Sequence, residues 1–130
     1  MESFLTRAVE IASLMPIIKG KQRLGAVAID SRGHIISSAT NNYNKTHPLQ
    51  RHFSELAGFS EDKCYLHAEL ATLLKARTKQ VDILYVARIM KNNHTGLAKP
   101  CKACMEAIKA YEVRKVVYTI SDNEFGTIEF

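Results

Sequence analysis

Between residue 3 and about residue 19, apolar side chains recur at Phe4, Ala8, Ile11 and Met15, with Leu5, Val9 and Ala12 beside them. That spacing predicts a helix with one buried face, and Ser3 is placed to cap it. Pro16 leaves its last turn in question, because a proline inside a helix removes a hydrogen bond and bends the axis. The period then changes. LGAVAID (24–30) and HIISSAT (34–40) are short β-favouring runs parted by SRG, which predicts an antiparallel hairpin. The polar stretch that follows, 41–64, is the longest irregular segment, with Pro48 set to open a short helix and Gly58 to close it. Such a segment suits a substrate loop.

Helical spacing returns from about Tyr65 to Lys79, carried by Leu66, Leu70, Leu73 and Leu74. DILYVARI (82–89) reads as a strand buried on both faces, MKNNHTGLAK (90–99) as a surface loop, and 101–111 as another helix. RKVVYTI (114–120) is a fourth strand, and SDNEFGTIEF (121–130) is a turn with a short fifth one. A turn that short permits only an antiparallel partner. Strand and helix alternate from 65 to 120, which calls for a sheet with parallel members and helices on both faces. The expected architecture is α/β, a three-layer α/β/α arrangement around a five-stranded mixed sheet, formed by residues 1–130 as one domain.

Composition narrows this picture without changing it. With 46% hydrophobic and 24% charged residues, the chain needs no disulfide framework at 130 residues. No apolar run is long enough to span a bilayer, so no membrane partner is expected. Glu2, Arg7 and Glu10 interrupt the first segment, which therefore reads as a helix and not as a signal peptide. Three cysteines, two of them in C-x-x-C, suit a reducing compartment, and a cytoplasmic address is expected. The net charge of +5 favours an anionic small substrate or a polyanion, yet the cations are scattered, with no block beyond KGKQR (19–23).

The chemistry concentrates at YLHAEL (65–70) and AKPCKAC (98–104), each at a helix start after a loop. Unpaired N–H groups and the positive end of the helix dipole favour thiolate there and can face an anion. Cys101 and Cys104 lie three residues apart and share a helix face, and His67 adds an imidazole if the two helices lie side by side. Two thiolates and one neutral imidazole suit Zn²⁺ and leave a fourth tetrahedral position for water. Glu69, two residues after His67, stands beside that position without binding the metal. Zinc acidifies a water to near-neutral pKa, and an adjacent carboxylate can relay its proton, which is the requirement for hydrolytic displacement of an amino group.

His67-Ala68-Glu69 together with Pro100-Cys101-Lys102-Ala103-Cys104 resembles the zinc-dependent cytidine and deoxycytidylate deaminase superfamily, over about residues 3–120. The resemblance implies His67, Cys101 and Cys104 as zinc ligands and Glu69 as the proton shuttle. It implies a base-contacting Asn at the end of the second strand, with Asn41 the better candidate and Asn42 the second. Ala68 between the two motif residues joins the substrate contacts. Gly25 either lets the backbone approach the substrate or serves packing. Small members of the family form homo-oligomers, so one is expected here.

Substrate choice draws on two opposed clues. Classical nucleoside deaminases carry a Glu two residues after the strand-end Asn to hold ribose hydroxyls, and this chain has Tyr43. The loop NNYNKTHP (41–48) is closer to deoxycytidylate deaminases, although their Asn-Gly-Thr-Pro wording is absent. Against that, an antiparallel last strand resembles the nucleoside branch. The expected substrate is deoxycytidine monophosphate (dCMP). Free cytidine is the alternative, as is cytosine in single-stranded nucleic acid, and adenine or guanine share the same zinc chemistry. His47 and His52 in the loop either touch phosphate or base or are plain surface residues, and Tyr65 and Phe53 either stack on a base or belong to the core. The non-enzymatic alternative is a closed zinc site, Cys64-x-x-His67 with Cys101-x-x-Cys104, acting as an interaction module. Cys64 is otherwise a small buried residue, or with His47 or His52 a ligand of a second metal.

Overall fold

A computed structural model describes residues 3–58 and 65–130 of the chain. In it, α1 (Ser3–Ser13) is followed by the hairpin β1 (Arg23–Ile29) and β2 (Ile35–Thr40), then α2 (Pro48–Leu56) and α3 (Ala68–Ala76). The order continues with β3 (Ile83–Ile89), β4 (Thr95–Gly96), α4 (Lys102–Ala110), β5 (Lys115–Ser121) and β6 (Glu124–Glu129). The sheet runs β2-β1-β3-β5-β6, with β4 added against β3. β3 and β5 are parallel and every other pairing is antiparallel, β5 with β6 included.

Alternation along the strands divides the core between two faces. Val27, Ile29, Tyr85, Ala87 and Val117 pack beneath Leu5 and Ala8 of α1. Ala26, Ala28, Leu84, Val86 and Val116 face the other way, against Phe53 of α2, Leu70 and Leu73 of α3, and Ala107 and Ile108 of α4. This is the α/β/α layering expected from the alternation of elements, with six strands where five were expected. Because α4 connects the parallel strands β3 and β5, its first turn lies at the carboxyl end of β3. α3 runs back along the sheet before β3, so its first turn comes to the same edge. That shared edge carries the site.

Three departures from the sequence reading have local causes. α1 stops at Ser13, not near residue 19, and closes through Leu14 N–H to Ile11 O and Met15 N–H to Ala12 O, ahead of Pro16. α3 begins at Ala68 and not at Tyr65, because the Leu66 carbonyl accepts from Asn42 N–H and the Leu66 N–H donates to Lys45 O. Its backbone groups are spent on the loop and are not available to a helical turn.

The third is β4, which lies inside the segment expected to be a surface loop. Side chains from the far end of the chain hold it: Asp122 Oδ1 accepts from Thr95 N–H at 2.7 Å and from its hydroxyl at 2.8 Å, and the Thr119 hydroxyl donates to Gly96 O at 2.8 Å. His94 contacts the other Asp122 oxygen. The two Thr95 hydrogen bonds, backbone first, and then His94 hold the Asp122 carboxyl down to about 2, against an ordinary value of about 3.9. The folded pKa is depressed, so this anchor is fully present above about pH 4 and is lost as pH falls toward 2. The protection factor of the Thr95 amide, its exchange relative to the intrinsic rate at each pH, should accordingly fall between those limits in the wild type and be pH-insensitive there in Asp122→Asn. Equal pH dependence in both would contradict the assignment.

Gly25 is settled toward packing. It shares the face of Val27 and Ile29, where a Cβ would come 2.5 Å from both Ala12 N and Ala8 O of α1. It lies on the opposite face from the site, so the close approach it permits is to a helix and not to a substrate. Gly25→Ala forces backbone apart and should cost about 1–3 kcal/mol, seen as a Tm lowered by roughly 3–15 °C. A Tm within about 1 °C of wild type would contradict this packing role.

Candidate metal centre and active site

His67 occupies the N-cap position of α3 and Cys101 that of α4, and neither side chain caps its own helix. Both are therefore available across the gap between the helices. Cys104, on the first turn of α4, is buried and turned to the same side as Cys101. His67 Nδ1 lies 3.6 Å from Cys101 Sγ and 3.3 Å from Cys104 Sγ, and the three ligand atoms all lie within 4.8 Å of one another. Bonds of about 2.0 Å to nitrogen and about 2.3 Å to sulfur at the tetrahedral angle place N and S roughly 3.5 Å apart. The spacing fits a tetrahedral zinc ion.

The electrostatics of the trio fit the same ion. The hydrogen bond from Cys104 draws the Cys101 thiol down to about 4, against the effect of burial and with help from His67. The same hydrogen bond and then burial push Cys104 well above its ordinary value. The pair thus holds one proton between two sulfurs, and a divalent cation displaces it.

Among the described residues the trio is open on one side. His67, Glu69 and Cys101 line a cavity of about 560 Å³ together with Asn41, Ala68 and Tyr65, within the size range of small-molecule sites. A fourth coordination position facing a cavity is the arrangement of a catalytic centre. Cys64, the fourth ligand of the closed alternative and a member of the second-metal alternative, lies outside the described residues. Glu69 is buried at 4% exposure, and that burial pushes its carboxyl up, with the Cys101 charge adding to it and His67 opposing it.

The family model of the cytidine and deoxycytidylate deaminase zinc-binding region matches residues 1–120. The chain belongs to that family. Among curated proteins no match is found. For this deaminase the cofactor is zinc, and its reaction class is zinc-dependent hydrolytic deamination.

The remaining candidates fall on both sides of the pocket wall. Asn41 is 2% exposed and fully oriented: its Oδ1 accepts from Leu24 N–H and its Nδ2 donates to Gln22 O, both at 3.1 Å. Asn42 does not line the cavity; its side chain accepts from Asn44 N–H to tighten the loop. His47 also lies elsewhere. It caps α2, accepting from Leu49 N–H, and lines a separate cavity with Arg51, His52 and Glu55. Tyr65 is half-buried between Tyr43 and His67, with ring centroids at 4.4 and 4.6 Å, and burial followed by the Tyr43 contact raises its hydroxyl pKa. Phe53 is core.

Several contributors escape the sequence reading. Gln50, 1% exposed on α2, accepts from His67 N–H at 3.1 Å and so fixes the ligand's backbone from a neighbouring helix. The Tyr43 hydroxyl accepts from Gln22 N–H at 2.9 Å, and the Lys21 ammonium lies over its ring at 4.4 Å. Arg88, Leu97 and Lys99 also line the pocket. The available signal for Arg88 is its place as a cation in an otherwise apolar strand.

Proposed function

We propose that this chain deaminates the cytosine of a small nucleotide, dCMP before the free nucleoside, giving dUMP and ammonia. His67, Cys101 and Cys104 hold zinc, which when bound supplies a water acidic enough to ionise near neutral pH. Glu69 is the proton carrier. Its carboxylate takes a proton from water and gives it to the ring nitrogen beside the amino-bearing carbon, making that carbon electrophilic. The water oxygen bonds to that carbon, Glu69 takes the remaining proton from that new hydroxyl and passes it to the amino group, and the C–N bond breaks with release of ammonia and formation of the carbonyl. Raising the carboxyl pKa by burial suits a group that must both accept and return a proton. Asn41, with its amide locked by Leu24 and Gln22, presents a fixed orientation to the base edge. Ala68 and Tyr65 complete the wall.

The observation that carries the nucleotide preference is the charge of that wall. Among the described residues lining the cavity, Glu69 at the metal end is the one carboxylate, and Arg88 and Lys99 are cations. Tyr43 stands where a carboxylate would hold ribose hydroxyls, and its hydroxyl is engaged by Gln22. A second reading, deamination of the free nucleoside, is favoured by the antiparallel β5–β6 pair. Ammonia release from matched dCMP, deoxycytidine, cytidine, guanine and a cytosine-containing single-stranded oligonucleotide separates them. dCMP is expected to give the highest kcat/KM by about tenfold or more. A higher value for either nucleoside transfers the assignment to the second reading, and one for the oligonucleotide or guanine overturns both.

A further inference from the structure

Arg88 lies on the site face of β3, paired across to Leu24 of β1 on one side and to Gly96 of β4 on the other. Its place is fixed along its length. The backbone N–H donates to the Thr119 hydroxyl at 3.2 Å, and a Cβ on Gly96 would come 3.7 Å from Arg88 Cδ, so the arginine stem lies over the glycine. The guanidinium, by contrast, has no hydrogen bond or ion pair among the described residues. Other arginines of this sheet region are satisfied: Arg23 donates to Met90 O and Asn93 Oδ1, and Arg114 is paired with Asp82 through two hydrogen bonds. Arg88 is half-buried as a residue, and a guanidinium without a protein acceptor is left for a ligand or solvent to meet.

Its position identifies the ligand's chemistry. Arg88 lines the metal-bearing cavity and also an adjoining one of about 520 Å³ that holds Lys21, Arg23 and Lys91, whereas His67, Glu69 and Cys101 line the first alone. Arg88 is therefore at the border between the two cavities, and no acidic residue among those described lines the second cavity. Lys99, exposed on the segment following β4, lines the same wall.

We infer that Arg88 is a specificity-determining residue that binds the 5′-phosphate of the substrate, with Lys99 contributing a second charge, so that the substrate class is a cytosine nucleoside 5′-phosphate. This rests on the deaminase reading above. The planar guanidinium offers two parallel N–H donors to a phosphate, and the lysine ammonium acts as a compact point charge beside it.

The test compares wild type, Arg88→Ala, Arg88→Lys and Arg88→Met, the last keeping the stem over Gly96 should truncation disturb the strand. Two readouts are taken: the ratio of kcat/KM for dCMP to that for deoxycytidine, and calorimetric affinity for dUMP against deoxyuridine, which needs no turnover. Losing the charge should lower the ratio about 100-fold, mainly through KM, and weaken dUMP by a similar factor, with partial recovery in Arg88→Lys. An unchanged ratio and unchanged dUMP affinity in Arg88→Met overturn the inference while leaving the deaminase standing. A loss confined to oligonucleotide deamination also overturns it. If wild type deaminates nothing, the deaminase reading fails, and a dUMP affinity that falls about 100-fold in Arg88→Met still supports the phosphate site.

Discussion

Glu69→Gln should lower kcat/KM for deamination by about 10³–10⁴ while leaving one zinc per chain. The amide has the shape of the carboxyl group but cannot take a proton from water or deliver one to the ring. Among the described residues the group placed to hold a metal is His67, Cys101 and Cys104, so metal content should be untouched. Folding should be untouched as well. Burial raises the Glu69 carboxyl pKa, so exchanging it for a neutral amide removes a desolvated charge from a position that is 4% exposed. The measurement is a rate with metal content determined on the same sample. Activity within about tenfold of wild type would remove Glu69 from the chemistry.

Removing the metal should have the largest effect on stability. Zinc held at a thousandfold above its Kd adds about 4 kcal/mol to the folded state. For a domain of this size, near 3–5 °C per kcal/mol, a strong chelator should lower Tm by roughly 12–20 °C. Cys104→Ala should reproduce that result without chelator, because Cys104 is one of three ligands and is buried against Cys101 and His67. Chelation should then shift the variant no further. Thermal denaturation with and without chelator tests this, and a Cys104→Ala protein that still binds one zinc and still responds to chelation would contradict the ligand set.

The metal trio and its carboxylate were legible because their chemistry depends on local spacing. C-x-x-C puts two sulfurs on one helical face, H-x-E places the acid past the ligand, and strand β3 between the two helices brings both helix starts to one edge. What could not be read locally depends on partners distant in sequence. Thr95 and Gly96 form a strand because Thr119 and Asp122, more than 20 residues later, supply their hydrogen bonds. Gln50 reaches the site because α2 packs beside the start of α3, and nothing in PLQRHFSEL marks it apart from a polar residue on an apolar face. The opposite happened at Gly25. The resemblance left it open between substrate approach and packing, and its alternation with Val27 and Ile29 places it on the α1 face. Asn41 and Asn42 are adjacent in sequence just past the end of β2, and one turns into the pocket while the other is spent on the loop.

The most direct test of zinc-dependent cytosine deamination is a single determination on purified wild-type protein of zinc content together with ammonia formed from dCMP. The proposed function predicts one zinc per chain and one ammonia released for each dUMP produced, both abolished on chelation and restored by added zinc. One zinc per chain with no ammonia from dCMP, and none from the nucleosides, guanine or a cytosine-containing single-stranded oligonucleotide, would contradict it and assign the His67, Cys101 and Cys104 centre to holding the fold.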